Sequence, residues 1–179
     1  TKTNKIKLKN VWVEKNHIEK IKNYCDKNNI NVNNILCHGT RNGAELHYFN
    51  QVFHNVKILG TEISDTATQF PNTIQWDFHN TNTEWVGQFD IVFTNSWDHA
   101  YDLEKATDTW MKQLSNKGRL FLDWNEATSK PNDKADCCGS DLESLVEFLS
   151  KKYIVENKFK INNTHQGIEN SYIITVKNY

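Results

Sequence analysis

The chain has 179 residues, a length that suits one folded domain with a substantial core. Apolar residues make up 37% of it and aromatic residues 12%, which is more than a disordered protein contains. The net charge of −1 excludes the strongly basic composition typical of nucleic-acid-binding proteins. Nucleic acid is therefore not an expected partner.

The cysteines and the hydropathy pattern bear on the compartment. Cys25, Cys37, Cys137 and Cys138 match no zinc-ligand spacing, since the last two are adjacent. We therefore expect reduced thiols and a cytoplasmic protein. The chain shows no signal peptide and no apolar run near the roughly 18 residues of a membrane span, so no membrane partner is expected.

Helical and extended patterns alternate through the first half of the chain. Residues 14–28 predict a helix, because Ile18, Ile21 and Cys25 recur at helical spacing with lysines between them. The apolar run at 35–37 ends near a glycine and predicts a short buried strand. The elements that follow are a helix at 43–53, a strand at 56–63 and a strand at 73–78.

The alternation continues in the second half. Residues 89–95 are almost entirely apolar, as expected for a central parallel strand. A helix at 101–115 precedes a helix-stop signal at 116–118, and residues 119–124 predict the next strand. After a polar loop at 125–139, a capping box opens a helix that runs to Lys152, and strands at 153–161 and 171–178 follow. Alternation predicts a parallel α/β sheet, and the final strand pair predicts an antiparallel strand at one edge.

Polar residues stand where three successive predicted strands end, after a glycine-containing loop. Gly39 and Gly43 lie after the first strand, where open α/β sheets bind ligands and where glycine allows close backbone approach. Glu62 ends the second strand and could accept both hydroxyls of a ribose. Asp77 and Asn95 end the third and fourth strands, and a carboxylate could accept from the amine of adenine. Each feature alone also fits a turn or a helix cap, but together they favour a nucleoside-binding site.

The loop "CHGTRNG" resembles the nucleoside-binding loop of the class I S-adenosylmethionine-dependent methyltransferases, and the resemblance extends over residues 14–179. That family has an acidic residue followed by spaced glycines after the first strand. Here Cys37 occupies the acidic position, Gly39 and Gly43 match the first and last glycines, and Arg41 replaces the middle one. Arg41 could instead reach the methionine carboxylate of the donor. The altered loop is similar to that of a divergent branch of small stand-alone proteins, often encoded by phages or viruses.

The resemblance carries implications for the fold and the donor site. It implies an α/β, Rossmann-like, seven-stranded, mostly parallel sheet with an antiparallel last strand and helices on both faces. Glu62 matches the family's ribose-binding acid and Asp77 its adenine-contacting acid. "FDIVFTNSWDHAYD" and "LSNKGRLFLDW" are similar to the segments around the fourth and fifth strands. The S-adenosylmethionine-binding residues implied are Gly39, Thr40, Arg41, Gly43, Glu62, Ile63, Asp77, Phe78 and Asn95.

Candidate groups for the chemistry lie in the loops after the fourth and fifth strands. Asp98 and His99, in the first loop, are the predicted catalytic residues, because a methyltransferase positions its reactants and can remove a proton from the acceptor. The second loop offers Asp123, Asn125 and Glu126. Asp123 with Asn125 is similar to the metal-binding pair of catechol-type enzymes, but a third ligand is missing, so no metal is predicted. Three aromatic residues could wall an acceptor pocket or simply pack in the core: Trp97, Tyr101 and Trp124.

The sequence therefore predicts a single S-adenosylmethionine-binding domain over residues 1–179, with an N-terminal helical segment at 1–30. The predicted activity is methyl transfer to a small acceptor, or to part of a polymer presented at a shallow rim. The alternative is a regulatory module that binds the nucleoside without chemistry. A nicotinamide oxidoreductase is disfavoured, because the Gly-x-Gly-x-x-Gly motif is absent.

Overall fold

The computed structural model describes residues 11–129, 137–164 and 168–179. Seven strands form one sheet. They are β1 (Asn34–His38), β2 (Lys57–Glu62), β3 (Thr73–Gln75), β4 (Phe89–Thr94), β5 (Leu114–Asn125), β6 (Ile154–Lys160) and β7 (Ser171–Lys177). Their order across the sheet is β3-β2-β1-β4-β5-β7-β6. The order reverses at β1, so the loops after β1 and β4 leave the sheet side by side, where such folds bind ligands.

The pairing of the strands confirms the predicted fold class. Strands β1 to β5 pair in parallel, whereas β7 is antiparallel to both β5 and β6. The sheet is thus mixed, with β7 as its antiparallel member. The predicted edge position of the antiparallel strand is wrong, because β7 lies between β5 and β6 and β6 forms the edge. No helix among the described residues is long and apolar enough to cross a membrane.

In the described part of the chain, four α-helices cover the two faces of the sheet: α1 (Lys15–Lys27), α2 (Ala44–Val52), α3 (Leu103–Gln113) and α4 (Leu142–Ser150). The core on one face joins α1 and α2 to Ile35, Cys37 and Phe93. The core on the other face joins α3 and α4 to Leu36 and Val92. Successive residues of β1 and β4 thus point to opposite faces and bury both, as a central parallel strand requires. Cys37 is fully buried and packs as a small hydrophobe, as predicted.

Three predicted boundaries are wrong. The third strand ends at Gln75 rather than at 78, because the Asp77 carboxylate accepts from the His79 amide and turns the chain. The helix predicted to end at 115 ends at Gln113, and β5 begins directly after it. The predicted stop signal lies in an irregular part of β5, where Gly118 approaches the Phe89 carbonyl too closely for a side chain. Much of the predicted loop at 125–139 lies outside the described residues.

Candidate functional site

The loop after β1 contains both glycines of the predicted nucleoside site. Both adopt left-handed backbone conformations, with φ of 72° at Gly39 and 71° at Gly43, which glycine enters without steric cost. Arg41 between them also has a positive φ of 44°. The amides of Gly39 and Thr40 donate to the Thr61 carbonyl on β2 at 2.8 and 3.0 Å. The loop is therefore a tight turn tied to the neighbouring strand.

Gly39 is also required by its contact with the loop after β4. A Cβ atom at Gly39 would lie 2.6 Å from both the Cβ and the Oγ of Ser96. The Ser96 hydroxyl donates to the Gly39 carbonyl at 3.1 Å, and the Ser96 amide donates to Oγ1 of Thr94 at 3.0 Å. The missing side chain at 39 thus lets the loops after β1 and β4 close on each other.

Glu62, the predicted ribose-binding acid, is the last residue of β2 and is 4% exposed. Its Oε2 accepts from the Arg41 amide and its Oε1 from the Ser64 amide, both at 3.0 Å. The carboxylate therefore joins the glycine loop to the turn after β2. A carboxylate has about four acceptor positions, so these bonds are compatible with a ribose hydroxyl on the same group.

A pocket of about 190 Å³ opens between the loops after β1, β4 and β5. Five predicted site residues line it: Gly39, Arg41, Asn95, Asp98 and His99. The other lining residues are Trp12, Asn42, Glu45, Ser96, Asp123, Asn125, Ala127 and Thr128. The pocket thus lies at the carboxyl ends of parallel strands, where α/β sheets bind their ligands.

Acidic side chains dominate the charge of this pocket. Glu45, Asp98 and Asp123 line it and are at most 6% exposed, whereas Arg41 is the one Lys or Arg among its described lining residues. The Oε2 atom of Glu45 and the Oδ1 atom of Asp123 are buried and accept no hydrogen bond from the described part of the chain. Burying a carboxylate oxygen without a donor costs free energy, so both oxygens are suited to a donor on a bound molecule.

Glu45 lies in the first turn of α2, and no sequence motif marked it as a site residue. Burial raises its pKa to about 7; the Arg41 guanidinium acts against this increase, whereas Asp123 and Glu62 add to it. Burial and the charge of Glu45 together raise the pKa of the Cys37 thiol. Helix α2 therefore brings a carboxylate into electrostatic reach of the position where cysteine replaces an acid.

Asp123, on β5, is held by a histidine from α1. The Nδ1 atom of His17 lies 2.8 Å from Oδ2 of Asp123, and both side chains are almost fully buried. The indole N–H of Trp97 donates to the Asp123 carbonyl at 3.0 Å. This second bond joins the loop after β4 to β5, so that Asp98 and Asp123 line the same pocket.

Asp77, the predicted adenine-contacting acid, is engaged by its neighbours. Its Oδ1 accepts from the His79 amide at 3.0 Å and lies 2.7 Å from Nδ1 of His79, while its Oδ2 accepts from the Tyr101 hydroxyl at 3.2 Å. The rings of His79 and Tyr101 stack with centroids 3.6 Å apart. Partial burial acts to raise the pKa of Asp77, but the bonds from His79 outweigh it and hold the pKa below its usual value.

The other predicted donor-site residues do not line the described pocket. Thr40 is buried within the loop, and Gly43 forms the left-handed N-cap of α2. Ile63, after β2, is 53% exposed. Phe78 packs edge-on against Trp110, with ring centroids 5.3 Å apart. Glu62 ends β2 and Ile63 follows it, whereas Asp77 and Phe78 follow β3.

Of the two alternatives for the three aromatic residues, packing in the core holds for two of them. Trp97 is fully buried and Trp124 is 6% exposed, and both belong to the core beneath α3 and α4. Tyr101 is exposed and bonds to Asp77 instead. The carboxylate of Glu126 accepts from the Glu169 and Asn170 amides, so it anchors the loop after β5 to the chain before β7.

His17, Glu45 and Ser96 are the residues that sequence reasoning missed. The one available signal was the spacing of His17 and Ile21, which places both on the buried face of α1. Among the described residues, no group of three or more His, Cys, Asp or Glu side chains is arranged to hold a metal ion.

The seven-stranded sheet with antiparallel β7 and helices on both faces defines a Rossmann-like fold. Solved structures of S-adenosylmethionine-dependent methyltransferases share this fold. An S-adenosylmethionine-dependent methyltransferase from Clostridium acetobutylicum superimposes with a TM-score of 0.67 at 12% identity, covering 93% of each chain. A TehB-like S-adenosylmethionine-dependent methyltransferase from Corynebacterium glutamicum gives 0.60 at 15% identity, covering 90% of this chain and 87% of that one.

A further neighbour is the 1,6-didemethyltoxoflavin-N1-methyltransferase of Burkholderia thailandensis, solved with 1,6-didemethyltoxoflavin and S-adenosylhomocysteine. Its TM-score is 0.70 at 12% identity, with 96% of this chain and 82% of that chain covered. The sequence matches no protein-family model and no curated protein. At these identities the likeness establishes the fold.

Proposed function

We propose that this chain transfers the methyl group of S-adenosylmethionine to an acceptor bound beside the loop after β1. The observation that supports this proposal is that the glycine loop after β1 is attached to the end of β2 and also lines the pocket. A left-handed glycine loop is held to the end of β2 by Glu62, and the same loop forms one wall of an acidic pocket. The methyltransferases that share the fold support the same reaction class.

The adenosine part of the donor is assigned to the residues after β2 and β3. Glu62 is the proposed ribose acceptor, and Asp77 is the proposed partner of the adenine amine, between Ile63 and Phe78. Oδ2 of Asp77 already accepts from the Tyr101 hydroxyl, so an incoming adenine amine would compete with that hydroxyl for the same oxygen or share it. The exposed Ile63 supplies apolar surface on which a purine could stack.

The amino-acid part of the donor carries an ammonium and a carboxylate, and the pocket offers a partner for each. Arg41 is the proposed partner of the carboxylate, since a guanidinium can bind it through two parallel hydrogen bonds. Glu45, whose Oε2 has no donor, is the proposed partner of the ammonium. Asn95 and the backbone of Gly39 line the same wall. This assignment gives the buried Glu45 carboxylate the donor that the described chain does not supply.

The donor, when bound, supplies an electrophilic methyl group on a sulfonium. The chain's task is to hold the acceptor in line with it and to exclude water. Asp98 and His99 are the proposed catalytic residues, because both line the pocket next to Asn95. Asp98 is almost fully buried and His99 is half-buried.

Two binding measurements test the proposal. S-adenosylmethionine and S-adenosylhomocysteine should raise the melting temperature, whereas NAD should not. Glu62→Ala should weaken S-adenosylhomocysteine binding at least tenfold, by about 1.4 kcal/mol or more. Glu84→Ala, which removes an exposed acid, should leave it unchanged. A chain that neither sulfur nucleoside stabilises would contradict the proposal, and binding without methyl transfer to any acceptor would indicate a regulatory module instead.

A further inference from the structure

The side of the pocket beyond the donor loop is built from the loops after β4 and β5. It is lined by the polar residues Asp98, His99, Asp123, Asn125 and Thr128 and by Ala127. The one lining guanidinium, Arg41, belongs to the opposite wall, in the loop after β1. A molecule in this part of the pocket therefore meets two carboxylates and, among the described residues, no lysine or arginine.

The two carboxylates differ from an ordinary acidic surface because they are buried. Asp98 is 6% exposed and Asp123 is 3% exposed. Asp123 has one oxygen engaged and one available: Oδ2 is fixed by His17, while Oδ1 accepts no hydrogen bond from the described chain. His17 thus acts as a positioning residue: it holds Oδ2 and leaves Oδ1 without a donor from the described chain, on a residue that lines the pocket. Such an oxygen is most strongly stabilised by a charged N–H donor.

We propose that the methyl acceptor is a small amine that binds as an ammonium ion to Oδ1 of Asp123, with Asp98 as a second negative charge. This inference rests on the proposed methyl-transfer function. An anionic acceptor would be repelled by both carboxylates. A neutral hydroxyl compound could donate one hydrogen bond to Oδ1 of Asp123 but would bring no positive charge to it.

The size of the pocket limits the acceptor as well. Its volume of about 190 Å³ lies below the roughly 300–1,000 Å³ of sites for drug-sized ligands. The amino-acid part of the donor would share this space. The acceptor is accordingly a compact amine, or an amine at the end of a longer molecule that enters from the rim.

Methyl transfer to such an amine requires one proton transfer and one displacement at the methyl carbon. The ammonium passes one proton to Oδ1 of Asp123, which exposes the nitrogen lone pair. The lone pair forms a bond to the methyl carbon while the carbon–sulfur bond breaks, and the electron pair of that bond remains on sulfur. Positive charge thereby moves from sulfur to nitrogen, where the Asp98 carboxylate stabilises it. The proton then leaves Asp123 for solvent, and the restored carboxylate pairs with the methylated ammonium.

Three probes of nearly equal size test the inference: propylamine, 1-propanol and propionate. Their binding would be measured by NMR titration of the chain saturated with S-adenosylhomocysteine. We expect propylamine to bind at least fivefold more tightly than 1-propanol, and propionate to bind more weakly still. Equal binding of propylamine and 1-propanol, or a preference for propionate, would overturn the inference. Failure of S-adenosylhomocysteine itself to bind would instead overturn the proposed function.

Variants assign the preference to Asp123. Asp123→Asn should abolish the preference for propylamine while S-adenosylhomocysteine binding stays within about twofold, which also shows that the variant is folded. Glu143→Gln removes an exposed acid from α4 and serves as the charge-matched control. A preference that persists in Asp123→Asn contradicts the inference.

Variants at the histidine test the positioning role separately. His17→Asn retains an N–H donor near the place of Nδ1, whereas His17→Phe removes it. The preference for propylamine should be lost in the Phe variant and restored in the Asn variant. If Asp123→Asn fails to fold, the comparison of His17→Phe with His17→Asn tests the role of Asp123 instead. Loss of the preference for propylamine in both histidine variants, or in neither of them, would refute that role.

Discussion

The carboxylate of Glu45 provides the sharpest test of the donor site. Its buried negative charge lowers the stability of the free protein, and in the proposed complex the same charge binds the ammonium of the donor. Burial raises its pKa from 4.5 to about 7. The ionised fraction is then about one half at pH 7 and about one tenth at pH 6. If the donor's ammonium binds the carboxylate form, S-adenosylhomocysteine should bind five- to tenfold more weakly at pH 6 than at pH 8.

The same residue should affect stability in the opposite sense. A raised carboxyl pKa means that the folded state binds a proton more tightly than the unfolded state between pH 4.5 and about 7. Stability therefore falls as pH rises through that window, by about 3 kcal/mol in total. Glu45→Gln removes this cost. The unliganded variant should be more stable than the wild type at pH 8, and the two should be equal near pH 4, below the unfolded pKa.

The assay combines two ligands with two proteins. Isothermal titration at pH 6, 7 and 8 would compare S-adenosylhomocysteine with 5′-methylthioadenosine, which lacks the amino-acid part. Only the wild type with S-adenosylhomocysteine should show the pH dependence, and Glu45→Gln should bind that ligand at least tenfold more weakly at pH 8. The charged groups around Glu45 are Arg41, Glu62 and Asp123, so Glu143→Gln on the surface is the control. Equal affinity of wild type and Glu45→Gln at pH 8 would refute the assignment.

Two further predictions concern the loops around the site. Gly39→Ala should destabilise the fold by about 3 kcal/mol, since it combines a left-handed φ with a collision at Ser96. Gly87 has nearly the same φ in open space, so Gly87→Ala should cost only about 1 kcal/mol. Equal losses of unfolding free energy in chemical denaturation would argue against the collision. Tyr101→Phe removes the hydroxyl that competes for Asp77, so we expect S-adenosylhomocysteine to bind two- to fivefold more tightly in calorimetry. Weaker binding would show that Tyr101 supports the site rather than competing for it.

Local patterns determined much of this molecule. The period of apolar residues predicted four helices and seven strands, because burial on one or both faces of an element leaves its mark within a few neighbouring residues. The left-handed turn after β1 was equally local, since Gly39 and Gly43 are the residues that adopt such backbone conformations without strain. Glu62 could be placed at the end of β2 for the same reason: the strand that precedes it is visible in sequence.

Boundaries that depend on other parts of the chain were less accessible. The third strand ends early because the Asp77 carboxylate accepts a hydrogen bond from the His79 amide. The spacing of apolar residues does not predict this bond. The irregular start of β5 follows from the close approach of Gly118 to a carbonyl on β4. In both cases a specific contact, rather than a repeating pattern, sets the end of the element.

Tertiary structure determined which acidic side chains line the pocket. His17 and Asp123 are 106 residues apart in sequence and meet only because α1 packs across the sheet onto β5. Glu45 reaches the pocket because α2 starts at a left-handed cap beside it, although its helical neighbours point into the core. The sequence determined which strand ends carry polar groups. The packing of helices on the sheet decided which carboxylate oxygens are buried without a donor from the described chain. Because burial removes water from such an oxygen, its hydrogen-bonding need can be met only by a suitable donor on a bound molecule.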